Sequence, residues 1–292
     1  MRIAPLLPAL VAVALAVLPV SAQGFDPAAK AMGWTRADAD GSLTLYDAQG
    51  RRLVTWLRDG TNQGEVDLSG LDGPPEFWVI DSYGNAWVVV GTTLVKVDPK
   101  GKVGTRAKLP GAVADLAWDP RGLVIAYRSA EPFLEKRDYK NGNVIWSLGT
   151  KPSGPATATV QTRIAVTNNN EVLVTRGTSL GIESLDLLTG KPLRQVSPFF
   201  SGAAAPNLDL GGTDRGPLVW WSGKGVAFAA VPSGQAAFVK MNGLLLARID
   251  LTSHALEFVP TGLTEDHTLA GVIENDAVFI KPKGGLVFVP MR

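Results

Sequence analysis

The chain has 292 residues, of which 46% are hydrophobic and 19% are charged, with a formal net charge of +1. This length and apolar fraction are sufficient for a folded core, and they exclude an intrinsically disordered chain. A charge this close to zero also excludes a general electrostatic attraction to nucleic acid or to anionic lipid, since both need an excess of basic side chains.

Residues 1–22 have the organisation of a secretory signal peptide. Arg2 supplies the positive charge, residues 6–18 are apolar, and Ala22 ends a stretch of small residues suited to cleavage. The apolar stretch is short for a membrane span, so we predict cleavage before Gln23 and a product without a membrane span. The processed protein is expected in the periplasm or outside the cell.

The chain contains no cysteine. Disulfides, thiolate metal sites and a lipid anchor attached to cysteine are therefore excluded. An exported protein of this kind has to depend on its hydrophobic core for stability. We expect a monomer.

Residues 23–40 are interpreted as a leader segment, and the region from 41 to 292 as one all-β domain. Apolar runs of four to seven residues alternate there with turn residues, and one kind of hairpin recurs. Its first strand ends in aspartate, whose carboxylate can accept hydrogen bonds from the turn that follows. The five copies end at Asp47, Asp98, Asp138, Asp186 and Asp250.

A second kind of hairpin precedes each of the last four copies, and a further one lies near the C-terminus. Their turns cover residues 81–85, 119–122, 168–170, 232–234 and 274–276. Two successive hairpins make a four-stranded antiparallel sheet, which is the blade of a β-propeller. The order along the chain predicts that the second kind forms the inner pair of strands and the aspartate-ended kind the outer pair.

The sequence therefore predicts a single β-propeller of five or six four-stranded blades. The N-terminal hairpin at 43–56 lacks an inner hairpin and the C-terminal one lacks an outer hairpin, so we predict that the N-terminal strands complete the C-terminal blade and close the ring. Residues 197–222 and 286–289 are left over and could supply a sixth blade. Two β-sandwich domains are the rival fold.

Two blades resemble known propeller families. Residues 81–88 (DSYGNAWV) and 94–102 (LVKVDPKGK) resemble the repeats of NHL-like and streptogramin-lyase-like propellers, and 141–147 (NGNVIWS) resembles the quinoprotein-type repeat. The resemblance implies an exported bacterial propeller. Unrelated functions share this fold, so it implies architecture rather than activity. Quinoprotein dehydrogenases have eight blades in much longer chains, so no cofactor of that kind is expected.

The favoured function is that of a non-enzymatic binding or scaffold module for a protein, a peptide or a small ligand. The least repeat-like stretch, 197–225, contains the candidate binding residues Phe199, Arg215, Trp220 and Trp221. Trp and Arg are common at the energetic centres of interfaces. The alternative for Trp220 and Trp221 is a core strand. Carbohydrate recognition through exposed tryptophans is a third possibility.

The alternative function is a metal-dependent hydrolase or lactonase. Propeller lactonases of the gluconolactonase kind hold a divalent cation in the central channel, and the nearest candidates here are Glu76, Asp115 and Asn168. Such oxygen ligands suit Ca²⁺ or Mg²⁺. These residues could equally be turn-forming or solvated side chains. The two histidines, His254 and His267, are expected in a hairpin turn and a loop, and they do not match a lyase site.

Overall fold

The computed structural model describes residues 36–37, 42–57, 61–128, 131–149, 162–175, 181–200, 228–230, 233–240, 246–259, 261–263, 267–273, 276–281 and 286–290. These residues form strands, turns and irregular connections. No helix long and apolar enough to cross a membrane occurs among them.

The strands follow one another along the chain and build six sheets, which we number as blades 1 to 6. Blade 1 contains β1 (Arg36–Ala37), β2 (Leu43–Asp47), β3 (Arg52–Trp56) and β4 (Asn62–Asp67). Blade 2 contains β5 (Phe77–Ile80), β6 (Ala86–Val90), β7 (Thr93–Val97) and β8 (Val103–Lys108). Blade 3 contains β9 (Val113–Asp119), β10 (Gly122–Tyr127), β11 (Leu134–Arg137) and β12 (Val144–Leu148).

Blade 4 contains β13 (Arg163–Val166), β14 (Glu171–Thr175), β15 (Ile182–Asp186) and β16 (Pro192–Val196). Blade 5 contains β18 (Phe228–Ala230), β19 (Ala236–Lys240), β20 (Leu246–Asp250) and β21 (Ala255–Val259), and β17 (Phe199–Phe200) pairs in parallel with β21 at its outer edge. Blade 6 contains β22 (Thr268–Ile273), β23 (Asp276–Ile280) and β24 (Leu286–Pro290).

The first strands of the blades lie side by side around a ring. Strand β5 lies next to β9, β9 next to β13, β13 next to β18, and β18 next to β22, which in turn lies next to β1. Blade 1 meets blade 2 where the Trp78 indole nitrogen donates a 3.2 Å hydrogen bond to the Thr44 carbonyl. The prediction of a propeller is therefore confirmed, and the described residues supply six blades.

The hydrophobic core lies between the blades rather than within any one of them. Each of the five buried clusters joins neighbouring sheets, because both faces of a blade carry apolar side chains. One cluster packs Leu45 and Trp56 of blade 1 against Ala270 and Ile280 of blade 6. The first and last blades are thus in direct contact.

The aspartate turns form as the sequence predicts. The Oδ1 atom of each of the five aspartates accepts hydrogen bonds from the backbone N–H groups of two residues, which lie two to four positions later in the chain. These aspartates are Asp47, Asp98, Asp138, Asp186 and Asp250. In blades 2 to 5 they end the third strand or directly follow it, so the assignment of inner and outer hairpins is confirmed there.

Each outer turn also rests on the blade before it. A Cβ atom added at Gly190 would lie 3.1 Å from the Trp146 ring of blade 3, and Gly190 has a φ of +71°, so both space and backbone favour glycine. In blade 5, His254 takes the corresponding left-handed position (φ +65°), and its Nδ1 accepts a 3.4 Å hydrogen bond from the Ser197 N–H at the end of blade 4.

The predicted manner of closure is wrong for the hairpin at 43–56. Its strands β2 and β3 are the two central strands of blade 1, and among the described strands neither pairs with blade 6. The flanking strands are difficult to predict from the sequence, because β1 (Arg36–Ala37) is short and β4 (NQGEVD) is polar and, apart from Val66, exposed. The sixth blade therefore comes from the N-terminal region, whereas β24 supplies the third strand of the C-terminal blade.

Candidate binding surface

Two stacked tyrosines fix the relative direction of blades 2 and 3. The rings of Tyr83, in the turn between β5 and β6, and Tyr139, in the turn between β11 and β12, lie 6.1 Å apart with an angle of 25° between their planes. These turns therefore lie at the same end of the propeller, which we call the turn end. The inner strands β5 and β9 both run towards it.

The exposed large hydrophobic side chains of the described residues all belong to blades 2 to 4. We call them together with Tyr139 the blade 2–4 surface; its members are Tyr83, Tyr139, Val144, Ile145, Leu188 and Leu193. Tyr83 is the most exposed, with 68% of its surface accessible. Single exposed hydrophobic residues are common on proteins, so it is the confinement of this set to three neighbouring blades that makes the surface a candidate for binding.

The Tyr83 side chain is held on a rigid turn. The buried Asp81 carboxylate accepts hydrogen bonds from the backbone N–H groups of Tyr83 and Asn85 and from the Trp87 indole. A hydrogen bond with Tyr83 raises the pKa of Tyr139, and the Lys140 ammonium lies 5.8 Å from the Tyr139 ring centre. The Tyr139 phenol is therefore neutral at physiological pH, and its ring lies next to a cation.

Leu188 lies at the contact between blades 3 and 4. The Trp146 indole of blade 3 donates a hydrogen bond to the Leu187 carbonyl, next to Leu188. Leu193 lies on the outer strand β16, where the pairing with β15 shifts register and Leu193 forms a β-bulge.

A buried run of charged residues lies behind this surface. Glu135, Lys136 and Arg137 on β11 are all buried, and the Lys136 ammonium donates a 3.0 Å hydrogen bond to the Leu187 carbonyl. Burial lowers the pKa of Lys136, although the carboxylates of Asp119 and Asp186 act in the opposite direction.

On the opposite face of β11, one glutamate binds two partners. Glu135 Oε2 accepts hydrogen bonds from Arg137 Nη2 and from the Tyr127 hydroxyl, both at 2.7 Å. Arg137 Nη1 also donates to the Gly142 carbonyl. Burial, reinforced by the bond to Glu135, raises the pKa of Tyr127. These buried groups stabilise the base of the surface but do not reach solvent.

The proposed metal ligands occupy different places in the structure. Glu76 precedes β5 and accepts a hydrogen bond from the Gly91 N–H, whereas Asn168 follows β13. The inner strands run in the same direction, so Glu76 and Asn168 lie at opposite ends, separated by roughly 15–20 Å along the strands. Asp115 is buried, and its Oδ2 accepts a 2.9 Å hydrogen bond from the Ile164 N–H of blade 4.

No group of three or more His, Asp and Glu side chains that could hold a metal ion occurs in the part of the chain that the structure describes. Asp115 joins the inner strands of blades 3 and 4. Its Oδ2 accepts a hydrogen bond from the Ile164 N–H of β13, and its Oδ1 accepts one from the Leu116 N–H of its own strand, β9. The structure therefore does not bring Glu76, Asp115 and Asn168 together as one ligand set.

The candidate binding residues Arg215, Trp220 and Trp221 lie outside the described residues. The backbone of Phe199 pairs with Ala255 at the outer edge of blade 5. His254 lies in an outer turn, as expected, and His267 lies just before β22. The exposure of Tyr83 was not predicted from the sequence, although an aromatic residue in the middle of a tight polar turn is a usable signal.

No protein-family model matches the chain, and a search of curated proteins found no match. Solved structures of β-propellers do match. Virginiamycin B lyase from Staphylococcus aureus is 10% identical with a TM-score of 0.57, and the match covers 88% of this chain and 80% of the lyase. A streptogramin B lyase is 13% identical with a TM-score of 0.54, covering 89% and 83%.

The β-propeller domain of Cps50 (Swd1) from Myceliophteria thermophila is similar to the same extent. It is 13% identical with a TM-score of 0.56, and the match covers 88% of this chain and 81% of that domain. At such identities the likeness shows the fold alone. The chain is thus a β-propeller, as the sequence predicts.

Proposed function

We propose that this chain is an exported, non-enzymatic binding module whose protein or peptide partner docks on the blade 2–4 surface. The observation that carries the proposal is the grouping of Tyr83, Val144, Ile145, Leu188 and Leu193 on three neighbouring blades. Exposed tyrosine supplies a large contact area with few rotatable bonds, which favours binding.

The rigidity of the surface also supports a binding role. Asp81 fixes the turn that carries Tyr83, and the turn that carries Leu188 is fixed by Asp186 and rests on blade 3. A partner that docks there loses little free energy in ordering these turns. Propellers also include scaffolds, and an affinity for proteins agrees with the fold although it does not follow from it.

The test uses the tagged chain recovered from the extracytoplasmic fraction of its own organism, with an N-terminus at Gln23 as the check on export. A partner is accepted only if the double variant Tyr83→Ser/Leu188→Ser loses it and the control Thr252→Ala, on an exposed turn of blade 5, retains it. With the purified partner we expect a loss of affinity of about tenfold or more. Equal affinities for the double variant and the wild type would overturn the proposal.

The metal-dependent hydrolase alternative lacks comparable support, because Glu76 and Asn168 lie at opposite ends of the inner strands. Binding of Ca²⁺ or Mg²⁺ remains a prediction. The same preparation tests this alternative by thermal unfolding with each ion. Incubation with virginiamycin B tests for a lyase activity. Turnover of that compound, or a rise in unfolding temperature that Asp115→Asn abolishes, would contradict a purely binding function.

A further inference from the structure

The outer strands of the blades differ in how they are protected against pairing with another chain. Exposed strand edges bind other strands unless charge, proline, a β-bulge or a covering segment prevents it. The outer strands β4, β8, β12 and β16 each contain a β-bulge, at Ile145 in β12, so bulges do not distinguish these edges. Strand β4 carries Glu65 and Asp67, β8 carries Arg106 and Lys108, and β16 begins with Pro192. Strand β12 has the sequence VIWSL and carries neither charge nor proline.

Blade 5 shows that an outer edge of this propeller accepts an added strand. The two residues of β17 pair in parallel with Ala255 and Leu256 of β21. The outermost described strand of blade 6, β24, is also uncharged, but only its last residue, Pro290, is exposed. Among the described outer strands, β12 is therefore the one that is exposed, carries no charged residue and has no described strand paired to its outer edge.

The backbone of β12 is oriented to pair outwards. The Leu148 carbonyl accepts a hydrogen bond from the Phe133 N–H, so the backbone groups of Leu148 face β11 and those of the neighbouring Ser147 face away from it. The side chains of Val144 and Ile145 are 46% and 48% exposed. β-Branched and aromatic residues in a short uncharged segment favour strand pairing.

We propose that β12 is a self-association edge, on which the β12 strand of a second copy of this chain pairs in the antiparallel sense. Antiparallel pairing of identical strands is the arrangement that a two-fold axis produces. Two VIWSL segments meet without like charges, and the net charge of +1 gives little long-range repulsion between copies. The inference goes beyond the proposed binding function and does not depend on it.

The expected dimer is weak. A single five-residue strand on each copy gives an interface below the roughly 1,200 Å² that separates stable complexes from transient ones. Monomer and dimer therefore exchange, and the dimer fraction increases with protein concentration.

Sedimentation velocity of the purified chain over about a hundredfold range of concentration tests the proposal. The weight-average mass of the wild type should rise towards twice the monomer mass, and Ile145→Lys should stay monomeric. Thr252→Lys is the control, because it introduces the same charge at an exposed position in the outer turn of blade 5, away from β12. It should dimerise as the wild type does.

A second variant protects the test against misfolding. Ser147→Pro removes an outward-facing N–H without adding charge, and proline is tolerated at such edge positions. It should also stay monomeric, with the circular dichroism and unfolding temperature of the wild type. A wild type that is monomeric throughout, an Ile145→Lys variant that still dimerises, or an equal loss of dimer in Thr252→Lys would overturn the proposal. None of these outcomes bears on partner binding by Tyr83.

Discussion

Blades 2 and 3 share one topology but differ in what they bury. The third strand of blade 2, β7, buries Leu94, Val95 and Val97, whereas the third strand of blade 3, β11, buries Glu135, Lys136 and Arg137. Both strands lead into a turn whose backbone N–H groups donate hydrogen bonds to an aspartate carboxylate, that of Asp98 in blade 2 and that of Asp138 in blade 3.

The comparison separates what defines a blade from what stabilises it. The turn residues and the backbone ladder are the same in both blades, so they define the fold. The interior tolerates either apolar side chains or charges, provided that each buried charge has its partners. Blade 3 should therefore depend on its ion pairs in a way that blade 2 does not.

The largest effect is expected at Glu135. In Glu135→Leu the buried Arg137 guanidinium loses its carboxylate, which should lower the free energy of unfolding by about 3–5 kcal/mol. The double variant Glu135→Leu/Arg137→Met removes both charges and should recover most of this loss. Urea denaturation measures all three proteins. If the double variant is as unstable as the single one, ion pairing does not distinguish blade 3 from blade 2.

A smaller effect should separate the two aspartate turns within blade 2. Asp81→Ala leaves the buried Trp87 indole and two backbone N–H groups without their acceptor, for a loss of about 2–3 kcal/mol. Asp98 accepts two backbone bonds at the surface, and Asp98→Ala should cost about 1 kcal/mol. Chemical denaturation of both variants gives the difference. Equal losses would mean that the burial of Asp81 adds nothing.

The smallest effect is a pH-dependent one at Lys136. Burial lowers its pKa in the folded state, so between that pKa and the unfolded value of about 10.4 the unfolded chain binds more protons. Lys136 therefore costs stability at low pH, and the cost disappears as the pH rises through this window. In Lys136→Met the Leu187 carbonyl keeps the Trp146 indole as a donor.

We expect Lys136→Met to be more stable than the wild type by up to about 1 kcal/mol at pH 7, with the difference narrowing towards pH 10. Urea denaturation at both pH values measures it. A variant that is less stable at pH 7 would show that attraction to Asp119 and Asp186 outweighs desolvation. The buried Lys136 charge would then make a net favourable contribution to the stability of blade 3.

Features that depend on neighbours in the sequence were predicted correctly. The turns after Asp98, Asp138 and Asp186 form because each aspartate bonds to residues within four positions of itself, and the printed sequence contains all the partners. This regularity was sufficient to predict a propeller. Blade 1 escaped the prediction because β1 and β4 are recognisable only through their pairing with β2 and β3.

Features that depend on distant partners were missed. The run Glu135-Lys136-Arg137 is typical of an exposed face, and its burial follows only from Tyr127 and from the Leu187 carbonyl, which lie on another strand and another blade. The exposure of Tyr83 and Leu188 likewise depends on what packs over each turn. Arg215, Trp220 and Trp221 remain predictions.

The way in which each outer turn rests on the preceding blade bears on how such a ring can grow. The fitting residue belongs to the turn of the later blade, as Gly190 does when it lies against Trp146. A duplicated gene segment that encodes one blade would thus also encode the turn that contacts the preceding blade. New mutations would be needed mainly where the next blade contacts the inserted one, so the number of blades can change during evolution.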